Sequence, residues 1–388
     1  MSKASSKTID MTQGWPLSLV LRFTLPILLG NVFQQLYTVV DGIVVGKNVS
    51  DAAQAAVGAS FSVTYMLTSL FLGIGLGGSV LVSQFFGQHS GGNIRKTIAT
   101  MHAFLLVISP PLTVFGILTA GPFLTLLQVP ADYYGLARSY MCVYYLGLLP
   151  QFGYNANAGI LQGLGDSRSP LVILALSSIL HVVLDYLLVV PIPLGVVGVG
   201  LATVLSQLFS WVLSVWFINH KFPDYRFKVW KISFDREIFR NILRIGVPSG
   251  IQNALYSVGI MVMAPLINRC GTVFVAGYNA AVKVDGFVFM PVQSLATSIT
   301  TYVGQNIGAG RMDRVKEGVR SILLVSAAMC AVLCAAVIPL RSQLMWLFTD
   351  TQAVVEAGNA YLVRVIPLYA VSTLQYMYIV LLRGAGES

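Results

Sequence analysis

The apolar stretch from Arg22 to Lys47 carries Asp41 together with Pro26, Asn31, Gln34, Gln35 and Tyr37. It is long enough to cross a bilayer, and a carboxylate inside such a helix costs about 2.5–3.5 kcal/mol on insertion scales. A second acid, Asp185, lies in another apolar stretch one helical turn after His181, and Thr203 lies in the next. Burial and a neighbouring like charge both oppose ionisation, so two such carboxylates brought together could take up a proton on one side of a membrane and release it on the other. The same oxygens, with Thr203 and a backbone carbonyl, could instead hold Na⁺, because a hard cation takes oxygen ligands. An organic cation would compete for the same charge, which is a route to exchange. The competing reading of each residue is a satisfied hydrogen bond between packed helices.

The elements that must position these groups follow from composition. Of 388 residues, 56% are hydrophobic and 10% charged, far below the roughly 25% charged of soluble domains. Apolar segments of about 20 residues recur, the mark of an all-α polytopic membrane protein; no alternating pattern suggests a β-barrel. Ten spanning helices are expected, near 19–46, 54–85, 97–122, 134–162, 170–191, 195–219, 241–268, 273–303, 318–341 and 357–383. The loops on the amino-terminal side of the membrane, with both termini, hold 18 of the 24 Lys and Arg residues. The positive-inside rule then puts the amino terminus in the cytoplasm of a multi-pass inner-membrane protein. The basic connector from Lys221 accounts for much of the net charge of +9 as a lipid-facing loop, so no nucleic-acid partner is expected. A rise of 1.5 Å per residue places Asp41 about 28 Å above Arg22, Asp185 about 22 Å above Pro170 and Thr203 about 12 Å below the outer boundary. All three fall in the outer half of the membrane. Gln34 and Tyr37 lie beneath Asp41 on its helix face, and His181 beneath Asp185.

The chain also repeats itself. Arg22-Phe-Thr-Leu-Pro26 matches Arg244-Ile-Gly-Val-Pro248, and Asn31 matches Asn253. Gly87-Gln88 is echoed by Gly304-Gln305, Tyr140 by Tyr361, and Leu161-Gln-Gly-Leu-Gly-Asp-Ser167 by Leu382-Arg-Gly-Ala-Gly-Glu-Ser388. Repeats of six helices enter the membrane in the same direction, giving two parallel lobes with a cavity between them. The expected division is an amino-terminal lobe over 1–220, a connector over 221–240 and a carboxyl-terminal lobe over 241–388 with four helices. The second lobe is thus expected to stop about two helices short of the first. Met263 stands where the repeat would place a mate for Asp41, so ion coupling is expected in one lobe.

These residues resemble the multidrug and toxic compound extrusion (MATE) transporters, in particular the prokaryotic DinF-like branch. The likeness is carried by Pro26 to Gly46, Gly87-Gln88, Leu161 to Ser167, Val183-Leu-Asp185, Ala202-Thr203 and the run from Lys283-Val-Asp285 to Gly304-Gln305-Asn306. It implies two six-helix bundles that export amphipathic, often cationic compounds in exchange for inward Na⁺ or H⁺. It also implies a coupling role for acids of the first lobe, matched here by Asp41 and Asp185, and for a hydroxyl matched by Thr203. Where the family has Asn one turn before the second acid, this chain has His181.

Tyr37, Gln34 and Asn155 could line a substrate path, and Asp285 could join them or neutralise a partner within the second lobe. Pro26 kinks its helix or lets the Asp41 segment move as a hinge. The expectation is a monomeric secondary efflux transporter taking small organic cations or amphipathic drugs, in contact with membrane lipid, without a cofactor beyond the coupling ion. The alternative is a lipid or lipid-linked sugar flippase of similar build, which would want arginines in its cavity; Arg138, Arg269 and Arg364 lie only near helix ends. No serine–histidine, paired-aspartate or metal motif suggests an enzyme.

Overall fold

The computed structural model describes residues 8–230 and 233–387, and among these there is no strand. The helices are α1 (Pro16–Asn48), α2 (Asp51–Gly87), α3 (Gly91–Leu126), α4 (Ala131–Leu146), α5 (Leu148–Gly163), α6 (Arg168–Val189) and α7 (Val196–Lys221). After the connector come α8 (Arg236–Asn268), α9 (Thr272–Gly308), α10 (Met312–Trp346), α11 (Gln352–Val365) and α12 (Tyr369–Ala385). Eight of the described helical segments are long and apolar enough to cross a membrane, nine if the two halves of α2, bent by 40°, form one span. The chain is an all-α, multi-pass membrane protein.

The helices bury their polar side and expose their apolar side, as lipid demands. On α6 the buried positions include Ser177, Ser178, His181 and Asp185, while Val172, Leu176, Ile179 and Val183 face outward. On α7, Ser206, Ser210 and Ser214 recur every fourth residue along the buried stripe. Two expected spans are broken. Residues 134–162 form α4 and α5, parted at Gly147; Pro150 lacks the N–H that Leu146 would accept from, which weakens the helix there. Residues 357–383 form α11 and α12 around the short turn Ile366–Leu368, which contains Pro367. By contrast, α1 runs continuously through Pro26.

The repeat is visible as helix register: α1 to α5 return as α8 to α12 about 220 residues later. The two copies meet where α2 and α9 end, at the side that carries the basic loops. A Cβ on Gly87 would lie 1.9 Å from Gln305 O, and one on Gly308 would lie 1.9 Å from Gln84 O. Each pair is the repeat image of the other, so a pseudo-two-fold axis passes through the crossing. Gln84 Nε2 donates to Gly384 O at 3.2 Å and Gln305 Nε2 to Gly163 O at 3.0 Å, again as images.

Each first helix reaches into the other copy. Val20, Phe23 and Ile27 of α1 pack with Leu295 and Ile299 of α9, whereas Ile238, Ile242 and Ile245 of α8 belong to the core of the first copy. On α8, Gly246 sits against Gly73, and a Cβ on Gly77 would lie 2.4 Å from Ile242 O. The image positions of Gly73 and Gly77 are Ser294 and Ser298, and these bind α1 through Asn31 Nδ2 at 2.9 Å and Thr24 Oγ1 at 2.8 Å. One seam is thus close-packed by glycine and the other hydrogen-bonded. Residues 8–15 cross the basic end as a strap. Ile9 N–H donates to Gly165 O in the first copy, and Met11, fully buried, is held by Gln305, Asn306 and Arg314 of the second.

Candidate functional site

Four helices of the first copy converge on the acids. Asp41 comes from the outer part of α1, His181 and Asp185 from α6, Thr203 from α7 and Tyr140 from α4. Gly30 lets α1 approach α6: a Cβ there would lie 3.1 Å from Leu174. Val45, Ala53, Val189, Val196 and Val199 form an apolar cap with Tyr140 at the outer end of these helices.

Asp41 and Asp185 lie close enough to interact as a pair. Asp185 is fully buried and Asp41 half-buried. Apart from each other, Asp41 Oδ1 and both Asp185 oxygens have no hydrogen-bond partner among the described residues. His181 bridges toward Thr203: Nε2 is 3.3 Å from Thr203 Oγ1, and Nδ1 is 3.3 Å from Asp185 Oδ2 without forming a hydrogen bond. Tyr37 packs its ring on His181 with centroids 4.9 Å apart. Tyr140 stands near both acids and Tyr37. Sequence reasoning passed over Tyr140 except as the repeat mate of Tyr361; its lack of charge gave it no signal of its own.

Three carboxylate oxygens without donors, in a pocket walled by a phenol, an imidazole and a hydroxyl, suit a proton or a single hard cation. Among the described residues, no three His, Cys, Asp or Glu side chains converge as a metal site. A cation here would therefore rely on Asp41, Asp185, the Thr203 hydroxyl and backbone oxygen.

The remaining residues singled out from sequence lie elsewhere or face outward. Gln34 is exposed one turn below Thr38 and stands next to Tyr37. Asn155 donates to Gln151 O within α5 at 2.8 Å and is not part of the acid pocket. Asp285 is in the second copy, where it accepts from Tyr361 at 3.3 Å and from Tyr369. Lys283, two positions away, turns to Phe348, with its ammonium 5.8 Å from the ring centre. Met263, the repeat mate of Asp41, is exposed on α8.

A membrane-spanning bundle of two repeated units, with a polar pocket in one of them, defines a transporter of the two-lobed class. The chain belongs to the MatE family, whose sequence profile matches twice, over residues 26–187 and 248–388. It is therefore a member of a multidrug efflux transporter family. The two matches open at Pro26 and Pro248, the repeat image of each other. The probable multidrug resistance protein YpnP of Bacillus subtilis is 29% identical over 318 residues, covering 80% of this chain and 69% of the relative. A FAD transporter of Shewanella oneidensis is 26% identical over 309 residues, covering 77% and 67%. In fold, the chain is similar to a MOP superfamily transporter from Pyrococcus furiosus, with a TM-score of 0.90 and 22% identity over 98% of this chain and 85% of the other.

Proposed function

We propose that the protein exports amphipathic small molecules, organic cations among them, in exchange for inward H⁺ or Na⁺. The observation that carries this reading is the carboxylate pair on α1 and α6, three of whose four oxygens are buried without a hydrogen-bond donor from outside the pair among the described residues. Asp41 and Asp185 are the ion-binding groups, with Thr203 as a neutral oxygen and His181 as the residue that biases the choice of ion. An imidazole beside Asp185 supports H⁺, since it can pass a proton to a carboxylate, whereas an added protonated imidazole would oppose Na⁺. A relative named as a FAD transporter carries a pyrophosphate substrate, so family membership alone leaves substrate charge open.

The two copies act as lobes, with the division near residues 220 and 241, and the basic end faces the cytoplasm of the inner membrane. The last hydrogen bond between them, counted from that end, is Asn31 to Ser294; among the described residues none crosses farther out. We read this arrangement as closed on the basic side, with a groove between the lobes open on the other, as alternating access requires of one of its two states. Ion release from Asp41 would free α1 to move, with Pro26 as the hinge. Gln34, Tyr37 and Asp285 border the path. The protein works as a monomer in contact with lipid.

The test is dye export by the purified protein in proteoliposomes, with Na⁺ and pH gradients imposed separately. Wild type should drive export from a pH gradient without Na⁺, and Asp41→Asn should reduce it to the level of empty vesicles while remaining folded. Undiminished export by Asp41→Asn would refute the coupling role. A strict Na⁺ requirement would refute H⁺ coupling.

A further inference from the structure

We propose that Arg383 forms an anion subsite at the floor of the groove between the lobes, placed to receive a carboxylate or phosphate group of an amphipathic molecule. This rests on the reading of that groove as the substrate path, and it extends the accepted substrates from cations to anions and zwitterions. In sequence, Arg383 is one of the basic residues at the carboxyl end, on the side of the membrane that carries the basic loops. In the folded chain it is buried, 7% exposed, one residue before Gly384 at the crossing of α2 and α9. Its side chain runs to α8, where Nη2 donates to Gln252 Oε1.

Height and neighbours place the guanidinium. Gln252 adjoins Asn253, the repeat mate of Asn31, and Asn31 marks the level where hydrogen bonds between the lobes end. Arg383 therefore sits where the seal stops and the groove begins. Tyr376 of α12 and Tyr256 of α8 stand near it, and Tyr65 of α2, from the other copy, stands near Tyr376. Tyr256 is 55% exposed.

A guanidinium at this depth calls for an anion. Among the described residues, no carboxylate lies within 4.0 Å of Arg383. Its Nε and Nη1 have no acceptor there, yet neither is among the buried polar atoms sealed off without a partner. These donors are fixed in one plane, the geometry that carboxylates and phosphates match. Holding α12 to Gln252 would not need a charge; a glutamine could donate the same bond without the desolvation that a cation suffers. The repeat mate, Gln162, carries none. The groove is thereby polarised, with the acids that lack donors in one lobe and, in the other, a guanidinium without a carboxylate partner among the described residues.

The experiment compares two xanthene dyes of opposite charge, 5-carboxyfluorescein and rhodamine 6G, binding to the full-length protein in detergent. Wild type should bind both. Arg383→Gln should weaken carboxyfluorescein by about ten-fold or more, the loss expected for a hydrogen bond to a charged group, while rhodamine 6G binds more tightly. Arg383→Lys should recover part of the carboxyfluorescein affinity. Gln252→Glu keeps the arginine but supplies an internal counter-ion, and should weaken carboxyfluorescein even if Arg383→Gln does not fold. Phosphatidylglycerol that competes with carboxyfluorescein in wild type, but loses affinity in Arg383→Gln, would identify a lipid headgroup as an occupant of the same subsite. Unchanged carboxyfluorescein binding in the variants that fold, or a wild type that binds only rhodamine 6G, would overturn the proposal. Arg383-dependent binding without export of either dye by wild-type proteoliposomes would leave the subsite standing and reject the efflux reading.

Discussion

The acids of the two lobes face opposite circumstances. Asp185 is enclosed with no donor to either oxygen, whereas Asp285 accepts from two tyrosine hydroxyls. A carboxylate satisfied by donors is stable where it stands; one without donors is available to an ion. Asp185→Asn should therefore abolish exchange while leaving the protein folded. Asp285→Leu removes the acceptor of Tyr361 and Tyr369 and should destabilise by about 2 kcal/mol, whereas Asp285→Asn keeps an acceptor and should retain export. Loss of export in folded Asp285→Asn would move this residue into the transport machinery. His181→Asn restores the residue that the family resemblance implies, and should make transport respond to a Na⁺ gradient. An unchanged dependence on pH would show that His181 does not select the ion.

Among the elements, the two seams between lobes should respond differently to added volume. At the α2–α9 crossing, a methyl on Gly308 meets backbone oxygen at 1.9 Å, and backbone cannot step aside as a flexible side chain can. Gly308→Ala should destabilise the sealed form by about 1–3 kcal/mol, read as increased labelling of cysteines placed on the basic side. The strap over residues 8–15 belongs to the same seal, since Arg314 Nη2 also donates to Gly14 O at 2.7 Å. Arg314→Ala should loosen it and speed hydrogen exchange at Ile9 and Met11; unaltered protection would show that the strap holds without the arginine. Where α8 begins, Asp235 caps the helix and meets Lys96 of α3 at 3.2 Å. The N–H of Ile238, and after it Lys96, hold its carboxyl below the ordinary range. Because the folded value is the lower one, this link stabilises the fold above the unfolded carboxylate value and is lost as pH falls through the folded one.

For the whole molecule, alternating access requires the seal at the basic end to open. Ser83 and Gly304 are repeat mates, and a Cβ on Gly304 would lie 2.8 Å from that of Ser83, across the pseudo-axis. Disulfide-bonded cysteines place their Cβ atoms about 3.8 Å apart, so the pair needs to part by about one ångström. The Ser83→Cys, Gly304→Cys double variant should oxidise readily, stop transport, and regain it on reduction. Transport that continues while the cross-link is present would mean that the lobes need not separate there.

Much of this was legible in the residues alone. Apolar length and sparse charge determined a bundle of spanning helices, because lipid tolerates little else. The recurrence of Arg22 to Pro26 at Arg244 to Pro248 marked two copies. Asp41 and Asp185 announced themselves because a carboxylate in an apolar run is costly wherever the helix turns. Tertiary structure alone decided what a side chain meets. It drew Asp41 and Asp185 together on separate helices and turned Asn155 to its own backbone. It also set Asp285 between two tyrosines supplied from beyond its helix. Arg383 shows the limit most clearly. Its place in sequence is a basic helix end beside a turn, but a long side chain on a helix running toward that end reaches back along its axis. Only the packed lobes show that it is buried against Gln252 of α8, with no carboxylate among the described residues within 4.0 Å.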